Sequence, residues 1–311
     1  MKLHKLLERM DLSEEEMREA GEAMIKGDSP YQVAAFLALL HAKGETPDEI
    51  YGLIQVMQKV MIPFAVEGPS LDIVGTGGDG ANTVNISTAS ALLAAALGIP
   101  VTKHGNRASS SQCGSADFLE YLGFDFEEPT RGNFTFLFAP KYHTAFKVLS
   151  PIRKGLGIRT IFNLIGPLLN PARPTHLLFG VADPSLLEVM AEVLQKMGTT
   201  HALVYHGQGI DELSPLGPCE VIEVEGGEQK AWTLDPEVYG IKKCTLDDLR
   251  GGDASQNASL LKQAMTTGKG AIADTLALNG AVALYLFNKI PIDQGLHLSR
   301  KVLEEGRAWI F

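Results

Sequence analysis

The chain has 311 residues and 33.5 kDa, is 45% hydrophobic and 21% charged, and carries a net charge of −10 with a pI near 5.3. That length and apolar fraction suffice for a large core, in one large domain with a smaller one or in two of moderate size. The acidic balance argues against nucleic acid as a partner, because counterion-release binding needs a basic face, so an anionic ligand must be held by local basic groups and backbone N–H donors.

The opening "MKLHKLLERMDLSEEE" reads as a charged amphipathic helix without a signal peptide's apolar centre, and no apolar run approaches the roughly 20 residues of a membrane span, so neither export nor membrane contact is expected. Helix starts then follow one another. Ser13 with Glu16, Ser29 with Gln32 and Thr46 with Glu49 are written as capping boxes, Pro30 and Pro47 occupy the favoured first helical position, and Gly27 and Gly44 stop two of the helices. The helix in "SPYQVAAFLALLHAKG" is apolar nearly all round from Val33 to Leu40 and needs cover on more than one face, from the core or from a second subunit. After Pro63 strands and helices alternate: "LDIV", "STASALLAAALG" and "IPVTKHG" predict a βαβ unit and hence a parallel sheet. "SLLEVMAEVLQKMG" and "THALVYHG" repeat the helix-then-strand order, "CEVIEVEGG" and "QKAWTL" predict a strand pair, and two helices close the chain. Cys113, Cys219 and Cys244 are odd in number and far apart, with no C-x-x-C pair, which fits a reduced cytoplasm.

In "LDIVGTGGDG", Gly75, Gly77 and Gly80 spell G-x-G-x-x-G after a strand, the form of a dinucleotide fingerprint. Two requirements of that fingerprint are missing. The glycines do not lead directly into a helix, since "ANTVNIST" intervenes, and no Asp or Glu lies between Gly80 and Ala116 to bind a ribose. The physical reading is a loop that exposes backbone N–H groups, with Asn85, Ser87 and Thr88 at a helix start, which together make an anion site. Asp79 inside the loop would repel a diphosphate unless a metal or a ligand hydroxyl faced it. A tight turn plus an ordinary N-cap is the plainer alternative. The second stretch, "KHGNRASSSQCGSAD", places Lys103, His104, Asn106 and Arg107 at the carboxyl end of the next strand, followed by small polar residues that could begin another helix. Two such loops at adjacent strand ends form one crevice.

"DIVGTGGDGANTVNISTA", "KHGNRASSSQCGSADFLEYLG", "RKGLGIRTIFNLIGPLLNPA" and "GQGIDELSP", in this order, resemble the anthranilate phosphoribosyltransferase family of tryptophan biosynthesis, and the likeness extends over nearly the whole chain. It implies an α/β fold class, a small all-helical domain (1–66, with 150–173 returning to it) hinged to a larger α/β domain (67–149 and 174–311) with a mostly parallel sheet. It also implies a cytoplasmic enzyme that moves the phosphoribosyl group from phosphoribosyl pyrophosphate to anthranilate, as a homodimer through the helical domain. Gly75, Gly78, Asp79, Thr83, Asn85, Ile86, Ser87, Thr88, Lys103, His104, Gly105, Asn106, Arg107, Ala108, Ser109, Ser110, Ser111 and Ser115 match positions that hold phosphoribosyl pyrophosphate. Gly75, His104, Asn106, His143, Arg153, Gly166 and Pro167 match those along the anthranilate path. Ser87, Asp211 and Glu212 match magnesium ligands, and Lys103, Asp211 and Glu212 are the residues expected to serve catalysis. Adjacent hard oxygens in a turn suit Mg²⁺ that keeps several waters.

Each assignment has a plainer counterpart: a solvated turn for Asp211 and Glu212, a helix end for Arg153, a core histidine for His143, and packing for Cys113. The pyrimidine nucleoside phosphorylases share the general architecture but differ at "KHGNR", and a catalytically dead binding protein would leave charged positions empty that are filled here. Two departures from the family pattern stand out. The link "FDFEEPTRGNFT" is shorter than expected where a helix usually lies, and the ending "RAWIF" comes somewhat early, so the last helix is expected to be cropped.

Overall fold

A computed structural model describes residues 1–27, 29–108 and 111–310. Helices α1 (Leu3–Leu7), α2 (Glu14–Lys26), α3 (Pro30–Lys43) and α4 (Pro47–Val60) come first. At α2 the Ser13 hydroxyl accepts from the Glu16 N–H (3.2 Å) while the Glu16 carboxylate accepts from the Ser13 N–H (3.0 Å), and Thr46 and Glu49 repeat the exchange at α4. The box expected at Ser29 and Gln32 does not form. Ser29 sits at ψ 118°, whereas Ser13 and Thr46 sit at 163° and 160°, and this rotation takes its hydroxyl off the Gln32 N–H.

The alternating part follows as β1 (Leu71–Gly75), α5 (Ile86–Ala96), β2 (Val101–Gly105), α6 (Ser115–Tyr121), β3 (Thr130–Arg131), β4 (Phe134–Phe138), α7 (Ala139–Tyr142), α8 (Phe146–Leu156) and α9 (Ile161–Ile165). It continues with β5 (His176–Gly180), α10 (Leu186–Lys196), β6 (His201–Gly207), β7 (Cys219–Glu225), β8 (Glu228–Leu234), α11 (Ala254–Thr267), α12 (Ala271–Asn288) and α13 (Ile292–Glu304). The strands form one sheet in the order β3-β4-β2-β1-β5-β6-β7-β8. From β4 to β6 the neighbours are parallel, and only β3, β7 and β8 run antiparallel to their partners, so the mostly parallel α/β sheet beside a helical bundle is as expected. The chain order reverses at β1, which lies between β2 and β5, and the crevice at the carboxyl ends of such strands is where ligands bind in open α/β sheets.

Period-2 alternation divides the core. Leu71, Ile73, Leu178, Leu203 and Tyr205 face one side, under α5, α6 and α11 to α13, and Val74, Leu177, Phe179, Ala202 and Val204 face the other, under α10 and the helical bundle. Along α3, Val33, Phe36, Leu37 and Leu40 form an i, i+3, i+4, i+7 stripe buried in this same core, and α3 packs on α1, α8 and α9, so much of its apolar surface is covered within the chain. Helix α8 also packs on α2, and α9 on α4, which brings the segment after β4 back to the bundle.

Two expectations need correction, and the short link is as read. The 18 residues of α12 are long and apolar enough to cross a membrane, contrary to the reading that no run approaches a span; 67% of that helix is buried inside the fold, where it packs on α13 and α5. Ser111 and Gln112 do not begin a helix, and Ser109 and Ser110 lie outside the described residues; α6 starts at Ser115, with Asp117 accepting from the Gly114 N–H (2.9 Å) and the Ala108 N–H (2.7 Å). The short link contains no helix and instead pairs β3 with β4 under a cluster of rings, Phe124 against Phe134 and Phe136, and Phe126 stacked on Phe138.

Candidate active site

Strands β1, β5 and β6 end side by side at Gly75, Gly180 and Gly207, and the turn carrying Asp211 and Glu212 passes directly across those ends. A Cβ on Gly75 would lie 2.3 Å from Asp211 Oδ2, one on Gly180 1.8 Å from the Asp211 carbonyl oxygen, and one on Gly207 2.5 Å from the Glu212 carbonyl oxygen. Only glycine lets the turn approach this closely. From this position Asp211 Oδ2 accepts from the Gly77 N–H (2.6 Å), and Glu212 Oε1 accepts from the Ser87 N–H in the first turn of α5 (3.2 Å). The fold therefore brings Glu212 against Ser87, 125 positions earlier in the chain, with Asp211 beside it in the turn and bonded to the glycine loop.

The electrostatics of this meeting are unfavourable to the unliganded protein. Burial, then the neighbouring Asp79 charge, pushes the Asp211 carboxyl up to about 7. Burial, then Asp211, holds Glu212 well above the usual carboxylate range, and its Oε2 is buried without a hydrogen-bond partner. Beneath them the fully buried Lys103 donates to the Ile73 carbonyl (2.6 Å) and Ser87 Oγ (3.4 Å); burial lowers the pKa of its ammonium, while Asp72 and Glu212 favour the charge. Asp72, which the sequence reading passed over as part of a strand, is held at about 6, chiefly by burial. It accepts from the Asn170 amide (2.7 Å), and its Oδ1 has no partner.

The glycine loop has positive φ at Gly77, Gly78 and Gly80. Asp79 accepts from the Ala81 N–H (3.0 Å), and Thr83 bridges to Arg250. Asn85 donates to the Cys113 carbonyl and accepts from Asn257 (2.8 Å), Ile86 is buried, and Thr88 donates to Ser115 (3.0 Å), which ties the first loop to the second. In that second loop Gly105 ends β2, Asn106 accepts from the Arg107 N–H, Ala108 donates to Asp117, and Ser111 donates to the Cys113 carbonyl. Arg107 itself is paired with Glu120 (2.5 and 2.8 Å) and Asp117. Ser109 and Ser110 lie outside the described residues. Cys113 is buried, with its thiol pushed up to about 11, in keeping with packing rather than nucleophilic work.

A path of rings leads away from β2. His104 and His143 approach through their Nε2 atoms (3.1 Å), His143 lies edge-on to Phe146, and Phe146 edge-on to Phe162. Burial keeps both imidazoles neutral, with pKa values of about 3 and about 4. Arg153 rests over Phe162 (5.3 Å) and Phe146 (5.9 Å), and among the described residues it makes no ion pair. Gly166 and Pro167 open the 3₁₀ turn Gly166–Leu168 just beyond α9. Besides Asp72, sequence reasoning missed Phe146, Phe162, Gly180, Gly207 and Arg159. The last donates to the Gly77 carbonyl (2.7 Å) and the Thr76 carbonyl (3.4 Å); the quoted "RKGLGIRT" contained that arginine without giving it a role.

Residues 2–61 match the helical bundle domain of the glycosyl transferase family, and residues 67–309 its a/b domain. The chain is 44% identical to the anthranilate phosphoribosyltransferase of Chlamydia caviae, over 98% of this chain and 92% of that relative. Among solved structures it is similar to the anthranilate phosphoribosyltransferase of Thermus thermophilus, with 42% identity, a TM-score of 0.90, and 98% and 95% of the two chains covered. It is also similar to the Saccharomyces cerevisiae enzyme solved in complex with phosphoribosyl pyrophosphate and magnesium, with 27% identity, a TM-score of 0.88, and 98% and 93% covered.

Proposed function

We propose, on the premise that this chain belongs to the anthranilate phosphoribosyltransferase family, that it transfers the phosphoribosyl group of phosphoribosyl pyrophosphate to the amine of anthranilate, a step of tryptophan biosynthesis. The products are N-(5-phosphoribosyl)anthranilate and pyrophosphate. The observation that carries the assignment of roles is the crossing of Asp211 and Glu212 over the three strand-end glycines onto the N-terminus of α5, beside Lys103.

As the amine nitrogen bonds to the ribose C1, the C1–O bond to pyrophosphate breaks and negative charge grows on the leaving group. Stabilising that charge is the main catalytic demand. The loop N–H groups around Gly75 and Gly78, the start of α5 at Asn85 to Thr88, and the stretch Lys103 to Ser111 with Ser115 are suited to hold the phosphoribosyl pyrophosphate. Ser87, Asp211 and Glu212 fit magnesium: the oxygens are hard, Glu212 lies against the Ser87 N–H with Asp211 beside it in the turn, and the buried Glu212 Oε2 is left unpartnered. Magnesium, when bound there, supplies positive charge to the departing pyrophosphate. The anthranilate path runs along Gly75, His104, Asn106, His143, Arg153, Gly166 and Pro167, with the Arg153 guanidinium available to a planar carboxylate. The amine is uncharged at neutral pH, and the imidazoles of His104 and His143 offer only weak basicity for its departing proton.

The same reading divides the chain into a helical domain (1–66 with 150–173) and an α/β domain (67–149 and 174–311), places the enzyme in the cytoplasm, and pairs two copies through the helical domain. The exposed Leu7, Met10 and Tyr31 of the bundle support that pairing better than the buried stripe of α3. The test is loss of anthranilate fluorescence on mixing with phosphoribosyl pyrophosphate and magnesium, with no phosphorolysis of thymidine or uridine. Nucleoside phosphorolysis with anthranilate inert would assign the chain to the phosphorylases instead.

A further inference from the structure

The loop Gly157–Thr160 between α8 and α9 leaves the bundle side and reaches the glycine loop at the end of β1. Arg159 makes the contact. Its Nη1 donates to the Gly77 carbonyl (2.7 Å) and its Nη2 to the Thr76 carbonyl (3.4 Å), and a Cβ on Gly78 would lie 1.9 Å from Nη1. The guanidinium is thus seated on the missing side chain of Gly78. On the other side of the same residue, the Gly77 N–H donates to Asp211 Oδ2 (2.6 Å). One glycine is held by an arginine at its carbonyl and by a carboxylate at its N–H, so both binding groups of the loop are engaged by the protein itself.

Neither contact is the best that its partner can make. A guanidinium is matched to a phosphate or carboxylate, whose charge it neutralises and whose oxygens its planar fork meets in pairs, and two neutral carbonyls offer it no opposite charge. Among the described residues none of the ion pairs involves Arg159; the acid that feels its charge, Asp183, is already bonded to the Ser185 N–H (2.9 Å) and hydroxyl (2.7 Å). The loop N–H groups likewise favour an anion over a single carboxylate that repels its neighbours. Resting on the transferase reading, we propose that Arg159 is a pyrophosphate-binding residue: when the leaving-group end of phosphoribosyl pyrophosphate enters the glycine loop, the guanidinium exchanges the Gly77 and Thr76 carbonyls for its oxygens.

The experiment measures magnesium-dependent binding of inorganic pyrophosphate by calorimetry, without anthranilate, together with steady-state constants and melting temperatures, for the full-length wild type, Arg159→Gln and Arg159→Lys. Loss of a charged hydrogen-bond donor predicts roughly ten- to hundredfold weaker pyrophosphate binding for Arg159→Gln. The KM for phosphoribosyl pyrophosphate rises in parallel, that for anthranilate changes less than about twofold, and Arg159→Lys recovers part of the loss. Unchanged or tighter pyrophosphate binding in Arg159→Gln overturns the inference. So does an equal rise in both KM values with a lowered melting temperature, which would make Arg159 only a clamp on the loop. If the wild type itself neither binds pyrophosphate nor consumes anthranilate, the transferase reading fails and this inference falls with it; a competent wild type that Arg159→Gln matches leaves the transferase reading intact.

Discussion

Charged side chains are buried at two places in this sheet, and their surroundings differ. Where β6 and β7 meet α12, His201 faces the Leu286 carbonyl through Nδ1 (2.8 Å) and Glu223 through Nε2 (2.7 Å), Tyr285 donates to Glu223 (2.9 Å), and Lys289 pairs with Glu225. Polar atoms there have partners within the fold. Along β1 and β6 and in the turn that crosses their ends, by contrast, Asp72 Oδ1, the Tyr205 hydroxyl and Glu212 Oε2 are buried with none, and Asp79, Asp211 and Glu212 repel one another. Buried polar groups are normally satisfied, so the first cluster reads as structure and the second as a place completed by something the chain does not supply. That contrast separates residues that hold the fold from residues that hold a ligand more sharply than burial alone, since both clusters are buried.

The contrast breaks if substitutions in the two places behave alike. The largest effect is expected for Glu223→Ala, which leaves His201 and Tyr285 without their acceptor: stability measured by denaturant unfolding falls by about 2–6 kcal/mol, at about 1–3 kcal/mol for each buried group left unsatisfied, while kcat of the folded fraction is unchanged. A loss of kcat without a loss of stability would reverse the assignment. In Asp211→Asn the pattern inverts. The melting temperature holds or rises, because repulsion is relieved, and kcat drops on the order of ten- to a thousandfold, as for loss of one electrostatic stabiliser. Excess magnesium restores part of the rate, and a normal kcat with an unaltered magnesium titration would reduce "GIDELSP" to a solvated turn. The smallest effect sharpens the comparison at Arg153, a half-buried charge with no ion pair among the described residues: Arg153→Ala raises the KM for anthranilate roughly tenfold, the scale of one charge-assisted pair, and leaves that for phosphoribosyl pyrophosphate nearly untouched. Equal shifts in both constants would return Arg153 to the helix end.

What could be read before the fold was known depended on range. The caps at Ser13 and Thr46 were legible because donor and acceptor are three residues apart, and the strands because side chains alternate along them. Ser29 with Gln32 is written as such a box and fails because its backbone leaves the extended geometry of the other two caps. Arg107 reads as a phosphate ligand, and its exposed pairing with Glu120 was hidden because that carboxylate lies 13 residues on, in the next helix. The meeting of Ser87 with Asp211 and Glu212 was legible only through the family resemblance, since no local pattern links positions so far apart. Gly180 and Gly207 were hidden for the opposite reason: each suits its strand, and only the turn crossing above gives it a second task, while Asp72 suits its strand and meets Asn170 from 98 residues on. Arg159 was in view and unassigned, because the carbonyls that it meets belong to a loop 82 and 83 residues earlier.

The crossing at Gly75, Gly180 and Gly207 also determines how this enzyme would respond to random mutagenesis. At most buried positions a larger residue is accommodated by degrees, as neighbours repack. Here alanine, the smallest possible replacement, already puts its methyl carbon 1.8 to 2.5 Å from atoms of Asp211 or Glu212, and at Gly180 and Gly207 the obstacle is main chain that cannot rotate aside. A survey of variants would therefore find these codons nearly binary, intact or ruined, among neighbours that show a gradient of tolerance.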